Sequence, residues 1–416
     1  MIQKEISVMK RCCKEIDITD PETIYPYVFD CIHRHARRYD FRRMLFDFGL
    51  SRSEYKKYLD TQDFTSIEPV VKVITSEVAK RIRERRLDLP PVVLRDMLDR
   101  TTGKERQIGK ENPLQQVFDY VAVGAAGQIW KRRIVPQQFS SIKDRGQIYG
   151  ARMIRGWIKK DNKSLEWSIR HDVRYSRKCK YYAKLDIKKC FPSMRLEVFM
   201  KWFSRDCGNP DLLWLWRSLL ESHRVQGYKG FMIGALPSQW GAQYLISFVY
   251  RYVMNLKVRR RGRLISLVSH MGLFMDDMCL LGSSRKSLKQ AIKLLSRYAY
   301  ETFGLLIKDT WSIYEIDEVP LDMMGYVFHS NGKITIRGRD FIRARRIILI
   351  FLDLGSLSLR QSKRLLSYKG YFKYSDCRDL YRTLKLDKVF SFCAKVVSIY
   401  AKRLLTGGAE KCMLSA

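Results

Sequence analysis

The stretch Phe274-Met275-Asp276-Asp277 sets two adjacent carboxylates between apolar runs, Leu264-Ile265-Ser266-Leu267-Val268 before it and Met278-Cys279-Leu280-Leu281-Gly282 after it. The pattern predicts two short β-strands joined by a tight turn, with the acidic pair at the turn. Holding two like charges side by side on buried strands is costly, and a divalent cation beside them removes the repulsion. An acidic pair alone reads more readily as an ordinary exposed turn, so its meaning depends on the rest of the chain.

Upstream stands Tyr181-Tyr182-Ala183-Lys184-Leu185-Asp186-Ile187-Lys188-Lys189-Cys190-Phe191-Pro192-Ser193-Met194. An apolar strand delivers Asp186, and a turn containing Pro192 follows. Carboxylates carried on separate strands are what in-line displacement on two cations requires, the cations lying roughly 3.5–4 Å apart to clamp the attacking and leaving oxygens. An exposed acid at a strand end is the plainer alternative. Between the two acidic motifs, Gly230-Phe231-Met232-Ile233-Gly234-Ala235-Leu236-Pro237-Ser238-Gln239 predicts a loop. It runs into a helix over Ala242–Leu256, with Ser238 able to cap it. After the acidic pair, Leu288, Ile292, Leu295 and Ala299 fall at helical spacing, and Gly304 ends that helix. Leu305-Leu306-Ile307-Lys308 and Leu321-Asp322-Met323-Met324-Gly325-Tyr326-Val327-Phe328 follow.

In this order the motifs resemble those of a reverse transcriptase: the Asp strand, the Gly-x-x-x-Ser loop, the Asp-Asp hairpin, the Gly-Leu-x-x-Lys segment and the Gly-Tyr hairpin. The resemblance covers about residues 96–390. Leu366-Ser367-Tyr368-Lys369-Gly370-Tyr371-Phe372-Lys373-Tyr374 resembles the thumb of small bacterial enzymes, not the retroviral pattern. Two positions depart from the family. Phe274 stands where Tyr is usual, and Ile233 stands where many members carry a Gln that bears on fidelity.

The resemblance implies an α+β right hand: a small antiparallel palm sheet between fingers and a helical thumb. Its expected divisions are a basic, mostly helical extension over 1–95, interleaved fingers and palm over 96–334, and the thumb and tail over 335–416. It implies Asp186, Asp276 and Asp277 as the carboxylates around two Mg²⁺ ions, with Mn²⁺ as a substitute, and Lys308 as a proton donor to pyrophosphate. Lys104, Arg106, Phe191, Ile233, Gly234 and Gln239 would meet the incoming nucleotide. Phe191 would exclude a ribose 2′-hydroxyl, which argues against an RNA-dependent RNA polymerase. Met324, Gly325 and Tyr326 would grip the primer. Ile142-Lys143-Asp144-Arg145-Gly146-Gln147 would handle template.

Composition agrees with a nucleic-acid partner. The chain carries 78 Lys and Arg against 43 Asp and Glu, a net charge of +35 with a pI near 9.9. Such an excess calls for a polyanion, and nucleic acid is the simplest. Anionic membranes are disfavoured, because no amphipathic anchor and no apolar run near ~18 residues is present. Met1-Ile2-Gln3-Lys4-Glu5 opens into mixed charge, so no secretory leader is expected. The 10 cysteines show no C-x-x-C pair, which predicts buried thiols in a reducing cytoplasm; the resemblance implies that the chain is bacterial or phage-encoded. His33 and His35 flank Arg34 in a basic surface.

The N-terminal runs Arg37-Arg38, Arg42-Arg43 and Lys80-Arg81-Ile82-Arg83-Glu84-Arg85-Arg86 are solvated helix faces or RNA contacts. Leu89-Pro90-Pro91 marks a boundary, after which Gly103-Lys104-Glu105-Arg106-Gln107-Ile108 predicts a basic strand. Arg145, the run Arg259-Arg260-Arg261, and Arg343, Arg345 and Arg346 before the apolar run Ile347–Leu352 are expected to hold nucleic acid. Leu212, Trp214, Leu215, Trp216 and Leu219 predict packed helix core.

The expected activity is therefore RNA-directed DNA synthesis, with an RNA template, cDNA and dNTPs as partners. No nuclease constellation follows the thumb. The added N-terminal segment resembles bacterial enzymes of phage defence, which copy a noncoding RNA. The loop at Ile233–Gln239 resembles those of diversity-generating retroelements, error-prone enzymes that work with an accessory protein. A homo-oligomer and a catalytically inactive RNA-binding scaffold are further alternatives.

Overall fold

A computed structural model describes residues 10–99 and 103–405. In chain order it begins α1 Pro21–His35, α2 Tyr39–Asp47, α3 Arg52–Thr61 and α4 Glu68–Arg83. Then come the strands β1 Val93–Asp99 and β2 Lys104–Lys110, the helices α5 Pro113–Ala125, α6 Gly127–Arg133 and α7 Gln147–Arg170, and β3 Tyr181–Asp186. The short α8 Cys190–Ser193 is followed by α9 Leu196–Asp206, α10 Pro210–Ser222 and α11 Leu236–Met254. Two hairpins, β4 Lys257–Arg260 with β5 Arg263–Ser266 and β6 His270–Phe274 with β7 Asp277–Gly282, lead to α12 Arg285–Phe303. The strands β8 Ile313–Glu315, β9 Leu321–Met323, β10 Tyr326–Phe328 and β11 Ile334–Ile336 precede α13 Gly338–Leu354, α14 Leu359–Tyr374, α15 Arg378–Thr383 and α16 Leu386–Leu405. The chain is a mixed α/β protein in which helix predominates over small sheets. Among the described residues, no helix is long and apolar enough to cross a membrane.

The chain divides into two compact units. The first comprises Met1–Ser141, Leu185–Asn255 and Ile292–Thr310, and the second Ile142–Lys184, Leu256–Ala291 and Trp311–Ala416. In the first unit, α1 starts on a stop-start signal legible in sequence: Asp20 accepts from the Thr23 backbone N–H, and Pro21 occupies the first turn. Its Ile24, Val28, Cys31 and Ile32 are buried, one stripe at helical spacing. α1 packs on both α4 and α5. Gly124 is needed at the α1–α5 contact, since a Cβ there would lie 2.2 Å from the Tyr27 ring.

Deeper in this unit, Trp130, Phe199, Phe203, Trp216 and Tyr244 form one aromatic cluster. The indole N–H of Trp216 donates to Ala122 O at 3.0 Å, so the helix α10 is core as its pattern predicts, although Trp214 is only half-buried. Beside the cluster, the buried Arg133 guanidinium grips Asp206 through Nε at 2.6 Å, and the Tyr244 hydroxyl donates to the same carboxylate at 2.7 Å. Removing one partner of such a pair would strand a buried charge, a loss of about 3–5 kcal/mol.

The second unit holds a sheet of four strands in the order β6-β7-β3-β8 and one of three in the order β11-β10-β9. Asp161, buried on α7, accepts from the backbone N–H groups of Lys178 and Cys179 at 2.7 and 2.9 Å, fixing the entry to β3. α13, α14 and α16 share a core of Ile348, Phe351, Leu365, Phe372, Leu386 and Phe390. α14 opens on a full capping box between Ser358 and Gln361.

Two expectations shift. The strand before the acidic turn is His270–Phe274, whereas Leu264-Ile265-Ser266 belongs to the separate β4–β5 ribbon and is exposed. A two-residue hairpin turn at Arg261–Gly262 turns that apolar run back on the basic one. Helix α11 begins at Leu236, with Ala235 as N-cap and no side-chain cap, so Ser238 lies inside the first turn. Pro237 is favourable there because the first helical N–H groups have no partner in any case.

His270 opens β6 and stacks on Trp157 of α7 at 4.8 Å. Burial, reinforced by Lys178, holds its imidazole down at about 4. Above pH ~6.5 the ring is neutral folded or unfolded, so it has no effect on stability. Between pH ~6.5 and 4 the unfolded chain binds a proton that the folded chain refuses, and stability falls by about 2–3 kcal/mol, levelling below pH 4. Urea unfolding from pH 7.5 to 4 should show this slope, and His270→Phe, which keeps a ring against Trp157, should lose it.

Candidate active site

Within the first unit, the end of β3 is braced by the segment after α12. Ile187 bridges Ile307, Lys188 N–H donates to Leu306 O at 2.8 Å, and Lys308 N–H donates to Asp186 O at 2.9 Å. This pairing brings the Lys308 ammonium to 2.6 Å from Asp186 Oδ2. The second carboxylate oxygen, Asp186 Oδ1, is buried and has no hydrogen-bond partner among the described residues. An orphaned anionic oxygen is a standing cost unless a cation or donor meets it.

In the second unit, β6 and β7 pair so that Asp277 stands opposite Phe274, with Met275 and Asp276 in the turn. Met275 holds φ at 56°, a left-handed conformation unusual for a side chain of its size. Both carboxylates are part-exposed, while Met278, Cys279, Leu280 and Leu281 behind them are buried. Burial pushes the Cys279 thiol up to about 12, so it stays neutral beneath the acidic turn. β3 lies beside β7 in the four-stranded sheet.

The donor chemistry suits a hard cation: carboxylate oxygens at a turn, and an orphaned one at Asp186. Within neither unit, among the described residues, do three His, Cys, Asp or Glu side chains gather into a preformed metal centre. That is compatible with Mg²⁺, which keeps one or two carboxylates and takes its other ligands from water and phosphate.

The loop before α11 and the β1–β2 hairpin meet in the first unit. Phe231 N–H donates to Phe191 O at 2.9 Å, and Gly109 N–H donates to Ile233 O at 3.0 Å. A Cβ on Gly230 would lie 2.4 Å from the Pro192 backbone, which explains the glycine. Phe191 and Ile233 are thus in one construction, and Ile233 acts through its carbonyl as well as its half-buried side chain.

A cavity of about 550 Å³ lies against these elements, lined by Gly234, Leu236 and Gln239 and by Arg95, Ile108 and Lys110 of the hairpin. Arg106 is exposed on β2 and does not line it, and the Lys104 side chain lies outside the described residues. The N-terminal segment contributes His35 and Arg38, and α5 contributes Asp119 and Tyr120. Asp119 and Tyr120 were not expected, and His35 and Arg38 were expected only as part of a basic, solvated or RNA-facing surface. Asp119 could have been found, since an acid inside Val117-Phe118-Asp119-Tyr120-Val121 interrupts an apolar face. Burial, with the Glu111 carboxylate beside it, holds its carboxyl well above the usual range. Glu111 in turn meets buried His223 at 2.7 Å.

The remaining expected residues lie in the second unit. Met324 and Gly325 form a turn with both φ positive between β9 and β10, and a Cβ on Gly325 would meet the Tyr371 ring at 2.4 Å. Tyr326 is buried against Tyr371, ring to ring at 5.1 Å. Arg145 lies over Tyr149, Arg259, Arg260 and Arg261 are exposed on the β4–β5 ribbon, and Arg345 and Arg346 are exposed on α13, with Arg343 half-buried.

No family model matches the chain, and no curated protein sequence matches it. Among solved structures, the chain is similar to a telomerase from Candida albicans determined with the TWJ fragment of telomeric RNA, with a TM-score of 0.42 at 12% sequence identity. That match covers 76% of this chain and 60% of the telomerase chain.

Gly234 holds φ at +108°, and a Cβ there would press Ile108 Cγ2 at 3.0 Å and Gly109 O at 3.1 Å. Gly234→Ala should therefore cost about 1–3 kcal/mol and loosen the Gly109–Ile233 hydrogen bond. Amide exchange at Gly109 should accelerate. Gly127→Ala, where a Cβ meets nothing within 4 Å and φ is ordinary, should leave it unchanged.

Proposed function

We propose that the chain is an RNA-directed DNA polymerase. The observation that carries this reading is the Asp186 carboxylate at the end of β3, with one oxygen held by Lys308 and the other buried without a partner among the described residues. Nucleotidyl transfer needs carboxylates from separate strands, backed by rigid apolar elements, and the motif order supplies them. When bound, two Mg²⁺ ions would stabilise the charge on the attacking and leaving oxygens.

The chain's own residues then have definite tasks. Asp186 and Asp276 would hold the cations, with Asp277 beside them. Lys308, its ammonium held 2.6 Å from the Asp186 carboxylate, would keep a proton ready for the departing pyrophosphate. The cationic side chains Arg38, Arg95 and Lys110 at the cavity would attract the triphosphate. Phe191, fixed by the Phe231 backbone contact, would block a ribose 2′-hydroxyl. Isoleucine at 233 offers no side-chain hydrogen bond to the nucleotide, which supports lower fidelity. The net charge of +35 supplies affinity for the template. The setting we propose is anti-phage defence, with a noncoding RNA as template, by resemblance of the N-terminal segment to enzymes of that kind.

Primer extension on a defined RNA tests the chemistry. Replacing both Asp276 and Asp277 with Ala should lower dNTP incorporation by at least about 10³-fold while RNA binding persists, since affinity resides in the basic surface. Full synthesis by the double variant would remove the assignment.

Sugar choice gives a second test. Phe191→Ala should raise the ratio of rNTP to dNTP incorporation roughly 10-fold or more, a difference of about 1.4 kcal/mol. An unchanged ratio at comparable extension rates would make Phe191 a packing residue only.

A further inference from the structure

The β4–β5 ribbon is built against its own local stability. Its register pairs Lys257 with Ser266, Val258 with Ile265, Arg259 with Leu264 and Arg260 with Arg263. Like charges directly opposite each other in a two-stranded ribbon repel, and Arg260 and Arg263 occupy the last pair before the turn. The turn itself puts Arg261 at φ 47° and Gly262 at φ 76°. Two positive φ values favour Asn-Gly or Asp-Gly, so an arginine at the first position opposes the backbone it adopts.

Nothing in the fold compensates. All eight strand residues are exposed except half-buried Val258, and a Cβ on Gly262 would meet nothing within 4 Å. Among the described residues, none of Lys257, Arg259, Arg260, Arg261 or Arg263 has an ion-pair partner. The sequence holds no Asp or Glu between Glu221 and Asp276, so no local acid is available either. Yet the ribbon is firmly rooted, because Leu267 N–H donates to Leu256 O at 2.9 Å and both side chains are buried. Strand alternation sends Lys257 and Arg259 to one face and Arg260 and Arg263 to the other, with Arg261 at the tip. A cationic ribbon charged on both faces is matched by phosphate on both sides at once, as the groove of a helix provides and a single strand does not.

We propose that this ribbon is a nucleic-acid arm that seats between the two phosphate rows of helical RNA, holding a folded template by its backbone and not by its bases. The choice of RNA rests on the polymerase reading. The binding itself does not, and it is measured with no dNTP present, so loss of synthesis and loss of binding are separately observed.

The probe is a stem-loop RNA, compared with an unstructured RNA of equal length and with duplex DNA, titrated at several salt concentrations. In the variant carrying Gln at 259, 260, 261 and 263, the slope of log affinity against log salt should flatten by about 3, from four lost phosphate contacts. The native chain should then lose roughly 60-fold more stem-loop affinity than the variant between 50 and 200 mM salt. The unstructured RNA should show a much smaller difference. Arg261→Asn alone should raise the melting temperature, by relieving the turn, while weakening stem-loop binding, which shows that a folded ribbon has lost its ligand. Unchanged slope and affinity in the fourfold variant would overturn the proposal. So would equal losses on structured and unstructured RNA, or a preference for duplex DNA.

Discussion

Self-repulsion among 78 cationic side chains facing 43 acidic ones is the constraint under which this chain folds. Scarce carboxylates are therefore spent at points where a specific group must be held. Asp206 neutralises the buried Arg133 and orders Tyr244. Asp161 accepts from the backbone before β3. Asp322 holds Arg337, and Asp376 holds Arg155. Against that background, Asp186 stands apart, with one oxygen on Lys308 and the other orphaned.

The same constraint explains why the basic surface is uneven. Where cations have partners they brace the fold, as in Arg133 and Arg337. Where they do not, as along the β4–β5 ribbon, they raise the energy of the free protein and lower that of its complex with a polyanion. Stability and binding are separable at such positions, because exposed side chains contribute little to packing.

The N-terminal helices also take on a definite role through packing. α1 lies against α4 and α5, and its end brings His35 and Arg38 to the cavity beside Gly234 and Gln239. His35 is half-buried, its Nδ1–H donating to Cys31 O at 2.8 Å, and it stands edge-on to Tyr120. Burial holds its imidazole below the ordinary value. The segment thus forms part of one wall of that cavity.

Local pattern alone determined a good deal. Alternation and turn residues located β3, the acidic turn and the β2 strand, while helical spacing with Gly304 located α12. These signals are short-range, set by side-chain period and by which residues tolerate a turn. Ser238 misled because a good cap residue stood next to a proline that fits the first turn still better, and Leu264–Val268 misled because apolar character does not say which strand a run will pair with. Tertiary structure alone decided the rest: that Lys308 rests on Asp186, that Gly109 holds Ile233 by its carbonyl, and that buried Asp119 and Arg38 share a cavity. Each joins residues far apart in the chain, and such pairings depend on packing and burial across elements, which no local periodicity encodes.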